Sequence, residues 1–348
     1  MEFTTTGTFG RTSTITHPDT GEIVSLAGKA GSGAILEATD DTLLTGDSNA
    51  SNPDDAIIYD LTLGGENALR FTGFTSFDLG EGDDVLDLSV RPANAEHAYD
   101  LAVFAVGGEG DDVLWSGTGS DTLAGDVEVI GDGDVGGDDW IDGGAGGDLV
   151  LGDADTIEAG GRGGQDRVDG GVGDDILVGD ANFVRGAGGG DTMTGGAGDD
   201  ALVGDGLEVE GVGGDDTLEG GEGADTLFGD GSILGVDAKG GNDVLDGGAG
   251  DDILVGDGGV FDEETNAEGG DDVFVFGPGG GQDIILDFGF GNDTLDVSAW
   301  DFAAFEDVTI DGNGTEAVQV VFDDEASVIV TNAEATPITL SADDFLFA

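Results

Sequence analysis

A nine-residue pattern recurs along the middle of this chain and constrains its fold more than any other feature. Clear copies read GGEGDDVLW from Gly107, GGVGDDILV from Gly170 and GGAGDDILV from Gly247. All fit G-G-x-G-x-D-x-U-x, where U is apolar, and shortened copies such as GGNDVLD lie between them. A fixed short period is typical of solenoids, in which each repeat packs only on its neighbours.

The register of the pattern is strict in sixteen nonamers between residues 79 and 297. The eighth position is apolar in every copy, from Leu86 to Leu295. A disordered Gly/Asp-rich linker has no reason to keep such a register, so the pattern predicts an ordered stack. The sixth position is always aspartate: Asp84, Asp112, Asp121, Asp139, Asp148, Asp166, Asp175, Asp191, Asp200, Asp216, Asp225, Asp243, Asp252, Asp272, Asp283 and Asp293.

The residue types of the nonamer explain what one repeat does. Glycines at positions one, two and four permit positive φ and a sharp turn that points carbonyl groups at one spot. Residues seven to nine predict a short strand whose eighth side chain faces inward. Calcium takes six to eight oxygen ligands from carboxylates and backbone carbonyls. Stacked turns would place the aspartate of each loop beside the next loop and complete an ion site between them.

On these residues the chain resembles the RTX family, the haemolysin-type calcium-binding repeats of secreted bacterial proteins. The resemblance implies an all-β fold, a right-handed parallel β-roll whose alternate nonamers form two sheets, with calcium ions in rows along the turns, on the order of ten in total. It makes the sixteen aspartates carboxylate ligands. It also places among the carbonyl donors Gly108, Gly110, Gly144, Gly146, Gly171 and Gly173.

An extra element after every second nonamer departs from the simple family pattern. Each begins with Gly-Asp, first at Gly125-Asp126 and last at Gly256-Asp257, at intervals of 27, 27, 25, 25 and 27 residues. The true unit is therefore two nonamers plus an insert. The sequence leaves open whether the insert adds a third strand or an extended loop. We expect its apolar centre at Val127 and Val129, Ile157, Phe183, Leu207 and Val209, Ile233 and Val260.

The ends differ from the repeat, and three parts are expected. Residues 1–78 predict a β cap or degenerate first coils, residues 79–297 the roll, and residues 298–348 a C-terminal cap. The closing SADDFLFA resembles the serralysin-like ends of RTX proteins, which implies an uncleaved type I secretion signal. The alternative, that Phe345, Leu346 and Phe347 close the end of the core, is compatible with export.

The location follows from the same resemblance. The N-terminus has no basic segment followed by an apolar stretch, and no run of 18 apolar residues occurs in the chain. The sequence thus lacks the patterns of a secretory signal peptide and of a transmembrane helix. We expect export through the type I apparatus to the medium or the cell surface.

The charge balance limits the partners. The chain has 77 acidic and 8 basic residues, a formal net charge of -69 at pH 7, and no cysteine. Such a surface repels nucleic acids and anionic lipids, so cations are the natural partners. Without cysteine, neither disulfides nor thiolate sites can hold the fold.

Catalytic motifs are missing from the sequence. The histidines, His17 and His97, are not in H-E-x-x-H, and no serine sits in G-x-S-x-G. We therefore expect a non-enzymatic calcium-binding protein with a structural or adhesive role, whose partners are its own copies or a surface or matrix component. The alternative is a secreted hydrolase or polysaccharide-modifying enzyme of the RTX group with its site in residues 1–106.

Overall fold

The computed structural model describes residues 76–89, 101–259, 266–302, 304–323, 326–332 and 336–348, together with the backbone of short strands between residues 4 and 71. These residues are almost entirely β-structure, with two short 3-10 turns at Phe305–Asp307 and Ala342–Asp344. Within them, none of the helices has the length and apolar character needed to span a bilayer. His17 and His97 lie outside the described residues, as does most of the segment 1–106 that the enzyme alternative requires.

The first sheet has fourteen strands, and its central strands are parallel. Leu123 pairs with Val150 and Val150 with Leu177, so equivalent residues of successive repeats form straight columns. In spatial order the strands are Thr4–Thr6, Ile35–Glu37, Ser76–Glu81, Phe104–Glu109, Thr122–Ala124, Leu149–Leu151, Ile176–Val178, Ala201–Val203, Thr226–Phe228, Ile253–Val255, Gln282–Ile285, Ser327–Val330, Val318–Val321 and Thr309–Asp311.

The second sheet has twelve strands, all parallel, and takes the other nonamer of each unit. Ile141 pairs with Leu114 on one side and Val168 on the other. In spatial order the strands are Phe345–Leu346, Thr294–Asp296, Val273–Val275, Val244–Ala249, Thr217–Glu222, Thr192–Ala197, Arg167–Val172, Trp140–Asp142, Val113–Trp115, Val85–Asp87, Leu43–Gly46 and Leu69–Phe71.

The inserts form a third parallel sheet, which decides the alternative that the sequence left open. One insert strand follows each of five units, and these strands pair in register as the nonamers do. They are Val129–Ile130, Thr156–Ile157, Ala181–Val184, Gly206–Val209 and Gly231–Leu234. Each complete turn of the solenoid therefore has three sides. Apart from the stack, Thr12–Thr16 pairs antiparallel with Ile23–Ala27.

The core between the first two sheets is built as the nonamer predicts. The side chain at the eighth position is at most 1% exposed in all sixteen nonamers, while its neighbours in the strand are more exposed. Leucine dominates, and Phe274 is the largest member of the column. One inward side chain per strand makes a continuous but thin core, so no turn has a core of its own. The all-β solenoid that the sequence predicts is confirmed.

A second apolar cluster lies under the third sheet, and the sequence-based prediction of its members is partly wrong. Ile157 and Val209 are buried as expected. Val129, Phe183 and Leu207 are 39 to 46% exposed instead. The strands alternate, so the neighbours point inward, and the cluster comprises Ile130, Ala154, Ile157, Ala181, Val184, Val209, Leu234 and Ala238.

The C-terminal residues close the end of the stack. Phe345–Leu346 adds a parallel strand to Thr294–Asp296, and Phe345 is 5% exposed within the main core. The ring of Phe345 contacts those of Phe305 and Phe347, whereas Leu346 faces solvent. The antiparallel strands Val318–Val321 and Thr309–Asp311 extend the first sheet beside it. These residues thus cover the core. Their part in export stays a prediction.

Candidate metal centres

The sixteen nonamer aspartates form two files, one along each edge of the roll. Each aspartate directly precedes a nonamer strand or lies at the start of one. The sheet to which that strand belongs determines the edge on which the aspartate lies. The first file comprises Asp121, Asp148, Asp175, Asp200, Asp225, Asp252 and Asp283. The second file comprises Asp84, Asp112, Asp139, Asp166, Asp191, Asp216, Asp243, Asp272 and Asp293. All sixteen are at most 6% exposed.

Within each file, a hydrogen-bond ladder ties successive turns together. In the first file the backbone N–H of Asp148 donates to Oδ1 of Asp175 at 2.7 Å, and that of Asp175 donates to Oδ1 of Asp200 at 2.8 Å. In the second file Asp139 donates in the same way to Asp166 at 2.7 Å. One carboxylate oxygen of each aspartate therefore orients the side chain and fixes the spacing of the turns.

The other carboxylate oxygen is buried without a hydrogen-bond partner in most of these residues. A buried carboxylate oxygen without a partner is costly, so a native fold that repeats it at every turn requires a ligand for it. A hard cation provides that interaction, because its preferred ligands are oxygens. The oxygen concerned is Oδ2 of Asp112, Asp139, Asp148, Asp166, Asp175, Asp191, Asp200, Asp216, Asp225, Asp243, Asp252 and Asp272.

Glycine keeps the space beside these oxygens open. A Cβ added to Gly170 would lie 2.7 Å from both Oδ2 of Asp175 and the carbonyl oxygen of Gly195. At Gly195 the corresponding atoms are Oδ2 of Asp200 and the carbonyl oxygen of Gly220, each at 2.6 Å. A carboxylate and a carbonyl from adjacent turns thus meet at one glycine, and this pairing fits a cation with oxygen ligands.

The first-position glycines are functional candidates that the sequence reasoning missed. It named the second and fourth glycines as carbonyl donors, and the structure places all six of these at positive φ, from +84° at Gly144 to +154° at Gly146. The carbonyl of Gly144 accepts a hydrogen bond from the N–H of Val172 at 2.9 Å. Their role in binding stays a prediction. The glycine at position one of the full nonamers was the available signal for Gly170 and Gly195.

Burial shifts the titration of both files. In the first file, burial raises the pKa of Asp200 and of Asp225 from 3.8 to about 6. In the second file, burial raises the pKa of Asp112 to about 8 and that of Asp139 to about 9, with repulsion from neighbouring aspartates adding to the shift. Without a cation, Asp112 and Asp139 hold protons at neutral pH, whereas Asp200 and Asp225 hold them below about pH 6, so a divalent ion competes with protons for the same oxygens.

A second set of buried aspartates, from the Gly-Asp pairs, lies beside the second file. Its members, 0 to 4% exposed, are Asp126, Asp153, Asp180, Asp205, Asp230 and Asp257. Carboxylate oxygens of Asp126, Asp139 and Asp153 all lie within 4.8 Å of one another. The sequence reasoning recognised the Gly-Asp pairs as a departure from the nonamer but assigned them no ligand role, because nothing in a linear pattern shows which loop the insert folds against.

The fifth-position residues form an outer ladder in the opposite direction. The N–H of Asp138 donates to Oδ1 of Asp111 at 3.1 Å, and the N–H of Gln165 donates to Oδ1 of Asp138 at 3.0 Å. These side chains are exposed, so water already solvates their carboxylates. The buried files therefore hold the candidate ion sites, and the outer ladder supports the stacking of turns.

The fold and the donor set define a calcium-binding β-solenoid. The family described as RTX calcium-binding nonapeptide repeat (4 copies) matches residues 104–127, 135–156, 178–206, 209–232 and 236–260. The chain therefore carries RTX calcium-binding repeats in these five segments and is an RTX repeat protein. No curated protein matches the chain. The matched segments end at residue 260, so the serralysin-like character of the C-terminal end stays a prediction.

An open groove lies at the start of the described roll. It has a volume of about 400 Å³ and is lined in part by Ser76, Asp78, Phe104, Glu109 and Glu128. The charged side chains of its lining are all acidic, as the net charge of the chain predicts. The expectation that the chain is not an enzyme stays a prediction.

Proposed function

We propose that this protein is exported unfolded, folds on the calcium of the external medium into a rigid three-sided roll, and serves as a structural or adhesive component of the cell surface or matrix. The observation that carries the proposal is the repeated buried Oδ2 of the nonamer aspartates, which has a carbonyl oxygen beside it and no hydrogen-bond partner. A cation at these positions stabilises the folded chain only, because the unfolded chain does not bring the oxygens together.

The balance of forces supports folding that depends on calcium. A formal charge of -69 opposes a compact state, and the core is one side chain thick per strand. Each bound ion adds two positive charges and stabilises the fold by about 2.7 kcal/mol at a hundredfold excess over Kd. On the order of ten such sites would exceed the 5 to 15 kcal/mol net stability of an ordinary domain. Calcium is scarce in the cytosol and abundant outside, so folding waits for export.

A calcium titration tests the folding step. Protein stripped with chelator is titrated with calcium while circular dichroism and hydrodynamic radius are measured. We expect a cooperative change from an expanded chain to a compact β-rich one, and a much weaker response to magnesium, which demands a smaller, octahedral site. A compact β-rich protein in excess chelator, or an equal response to magnesium, would overturn calcium-driven folding.

Export and role are tested separately. Removal of residues 299–348 should retain the protein inside the cell if the C-terminal segment carries a type I secretion signal, and normal export of this truncation would contradict it. Fractionation of a culture should find the full-length protein on cells or in matrix material. Turnover of a protease, lipase or glycan substrate by the calcium-loaded protein would favour the alternative of a secreted hydrolase.

A further inference from the structure

We propose that the Gly-Asp aspartates and the second file together form an enclosed row of divalent-cation sites, sealed by the third sheet and distinct from the sites at the first file. The nonamer contains no ligand corresponding to the Gly-Asp carboxylate, so the repeat pattern does not account for this row. The inference rests on the proposed calcium dependence only for the identity of the ion.

Three of the Gly-Asp carboxylates are each fixed by one oxygen and leave the other without a hydrogen-bond partner. Oδ2 of Asp153 accepts from the N–H of Gly164 at 2.9 Å, and Oδ1 of Asp205 accepts from the N–H of Gly214 at 2.7 Å. Asp230 repeats this arrangement. The remaining oxygens, Oδ1 of Asp153 and Oδ2 of Asp205 and Asp230, are buried without a hydrogen-bond partner in residues with 0% exposure. They point to a ligand for carboxylate oxygens, and a hard cation is such a ligand.

Glycines show where these oxygens converge. A side chain on Gly213 would lie 2.6 Å from Oδ2 of Asp205, one of the oxygens without a partner, and would collide with Oδ1 of Asp230. A side chain on Gly136 would collide with Oδ1 of Asp153, another of these oxygens, and would lie 2.7 Å from Oδ2 of Asp126. The first glycine of each Gly-Gly pair that ends an insert is therefore held beside two carboxylates from successive turns. A larger residue would displace the oxygens that an ion requires.

The second file adds a third carboxylate and a carbonyl to each space between successive turns. A Cβ on Gly152 would lie beside both Oδ2 of Asp166 and the carbonyl oxygen of Gly179. Repulsion from Asp191, a member of the second file, adds to burial in raising the pKa of Asp180, as expected of carboxylates that lie close together. Each space between successive turns of the second file thus has carboxylates from the nonamer and from the Gly-Asp pair. The corresponding space in the first file has one nonamer carboxylate and glycine carbonyls.

No basic side chain of the described residues neutralises this row. Arg162, Arg167, Arg185 and Lys239 are all exposed, and the ion pairs of Arg185 and Lys239 are with surface glutamates. A stack of like charges without a counterion cannot stay ionised when buried. Divalent cations with several carboxylate ligands remove the repulsion, and calcium suits the number and flexibility of these oxygens.

Enclosure gives the row a measurable property. Asp180 and Asp205 directly precede strands of the third sheet and are 0% exposed. This places the row beneath the third sheet and its apolar cluster, which includes Val184 and Val209. Ions there exchange only when the third sheet opens, while ions at the first file leave through the turn. Calcium release into excess chelator should therefore have a fast and a slow phase.

Matched double variants assign the phases. Asp180→Asn with Asp205→Asn changes the enclosed row, and Asp175→Asn with Asp200→Asn changes the first file in the same two turns. After removal of free calcium, release into a chromogenic chelator is followed by stopped flow. We expect the first pair to reduce the amplitude of the slow phase and the second pair to reduce the fast phase. Slow-phase amplitude equal to wild type in the Asp180/Asp205 variant would show that these aspartates do not hold the slowly released ions and would overturn the enclosed row.

A measurement on the unmodified protein removes the dependence on variant folding. Terbium replaces calcium, and its luminescence lifetimes in H2O and D2O count the water molecules on each ion. We expect one population with almost no water, for the enclosed row, and one with more. Uniformly hydrated ions would overturn the enclosed row while leaving calcium-dependent folding intact, and failure of wild type to bind calcium at all would overturn the proposed function itself.

Discussion

A single nonamer aspartate links the stacking of turns to ion binding. Asp175 accepts the N–H of Asp148 with Oδ1 and presents Oδ2 beside Gly170. Both roles depend on one side chain. A shorter side chain would lose the hydrogen bond between turns, and an uncharged one would weaken the ion site. The strict sixth position in the sequence reflects this double use.

Asp175→Asn should lower calcium affinity and the stability of adjacent turns. The amide keeps one oxygen for the ladder but removes the negative charge from the ion site, so one site of about 2.7 kcal/mol at a hundredfold excess of calcium is weakened. Glu210→Gln is the control, because Glu210 is exposed and pairs with Arg185 at 3.1 Å on the surface, where such pairs contribute little. Calcium titration calorimetry and melting in saturating calcium measure both. Equal effects of the two substitutions would contradict the assigned register.

Adjacent glycines of one turn should respond differently to alanine. Gly146 has a φ of +154°, and a Cβ there would collide with the carbonyl oxygen of Gly119 in the previous turn. Gly147 has no positive φ, and its nearest neighbour would be 3.1 Å away, at the carbonyl oxygen of Asp174. We expect Gly146→Ala to cost about 1–3 kcal/mol in strain, with the collision adding to it, and Gly147→Ala to cost less, because only a small shift of the Asp174 carbonyl is needed there. Denaturation in saturating calcium compares the free energies of unfolding of the two variants. No loss of stability in Gly146→Ala would contradict the close stacking of these turns.

At the scale of elements, the nonamer strands were predictable and the insert strands were not. The eighth-position column carries a strict apolar register, so its burial can be read from Leu86 to Leu295. The inserts vary in length and have apolar residues on both faces, as in Phe183 next to Val184. Which of the two is buried depends on the layer that the insert covers, and no local pattern specifies that layer.

The third sheet should loosen independently of the roll, because it has its own apolar cluster. Leu234→Ala removes a 1% exposed side chain from that cluster and should cost about 2–5 kcal/mol. Leu207→Ala makes the same change at a side chain that is 41% exposed and should cost far less. Hydrogen exchange should rise in Gly206–Val209 and Gly231–Leu234 of the Leu234 variant while Ala201–Val203 stays protected. Uniform loss of protection in both sheets would show that the three sides form one cooperative unit.

At the scale of the whole molecule, the fold concentrates negative charge that the sequence only reports as a total. The net charge of -69 predicts cations as partners, but a composition cannot tell a solvated carboxylate from a buried one. The structure separates the exposed outer ladder, represented by Asp138, from buried aspartates such as Asp139, whose pKa is raised by burial to about 9. The nonamer files were predictable from spacing, whereas the Gly-Asp row required the path of the insert in three dimensions.

The metal-free protein should become less stable as the pH rises. Burial raises the pKa of Asp139 to about 9, of Asp112 to about 8 and of Asp205 to about 7, from 3.8. Between about pH 4 and 9 the folded chain then holds more protons than the unfolded chain, so the free energy of unfolding falls as pH increases. The protons' contribution is complete below the unfolded pKa and is lost as pH passes the folded values.

Calcium should remove this dependence, because it binds the oxygens from which the protons dissociate. The chain is expanded in chelator, so its folding free energy is measured there by refolding with a stabilising osmolyte such as TMAO. The osmolyte concentration at the midpoint is expected to be higher at about pH 8 than at about pH 5, whereas the urea midpoint of the calcium-loaded protein stays constant, and calcium binding at about pH 7 should release protons into a weakly buffered solution. General charge repulsion acts in the same direction in chelator, so Asp180→Asn with Asp205→Asn is the control: its asparagines do not titrate, and its slope with pH should be shallower than that of wild type. An osmolyte midpoint that is constant or falls with pH would mean that the buried aspartates stay ionised in the fold, and the exchange of protons for calcium would then have to be abandoned.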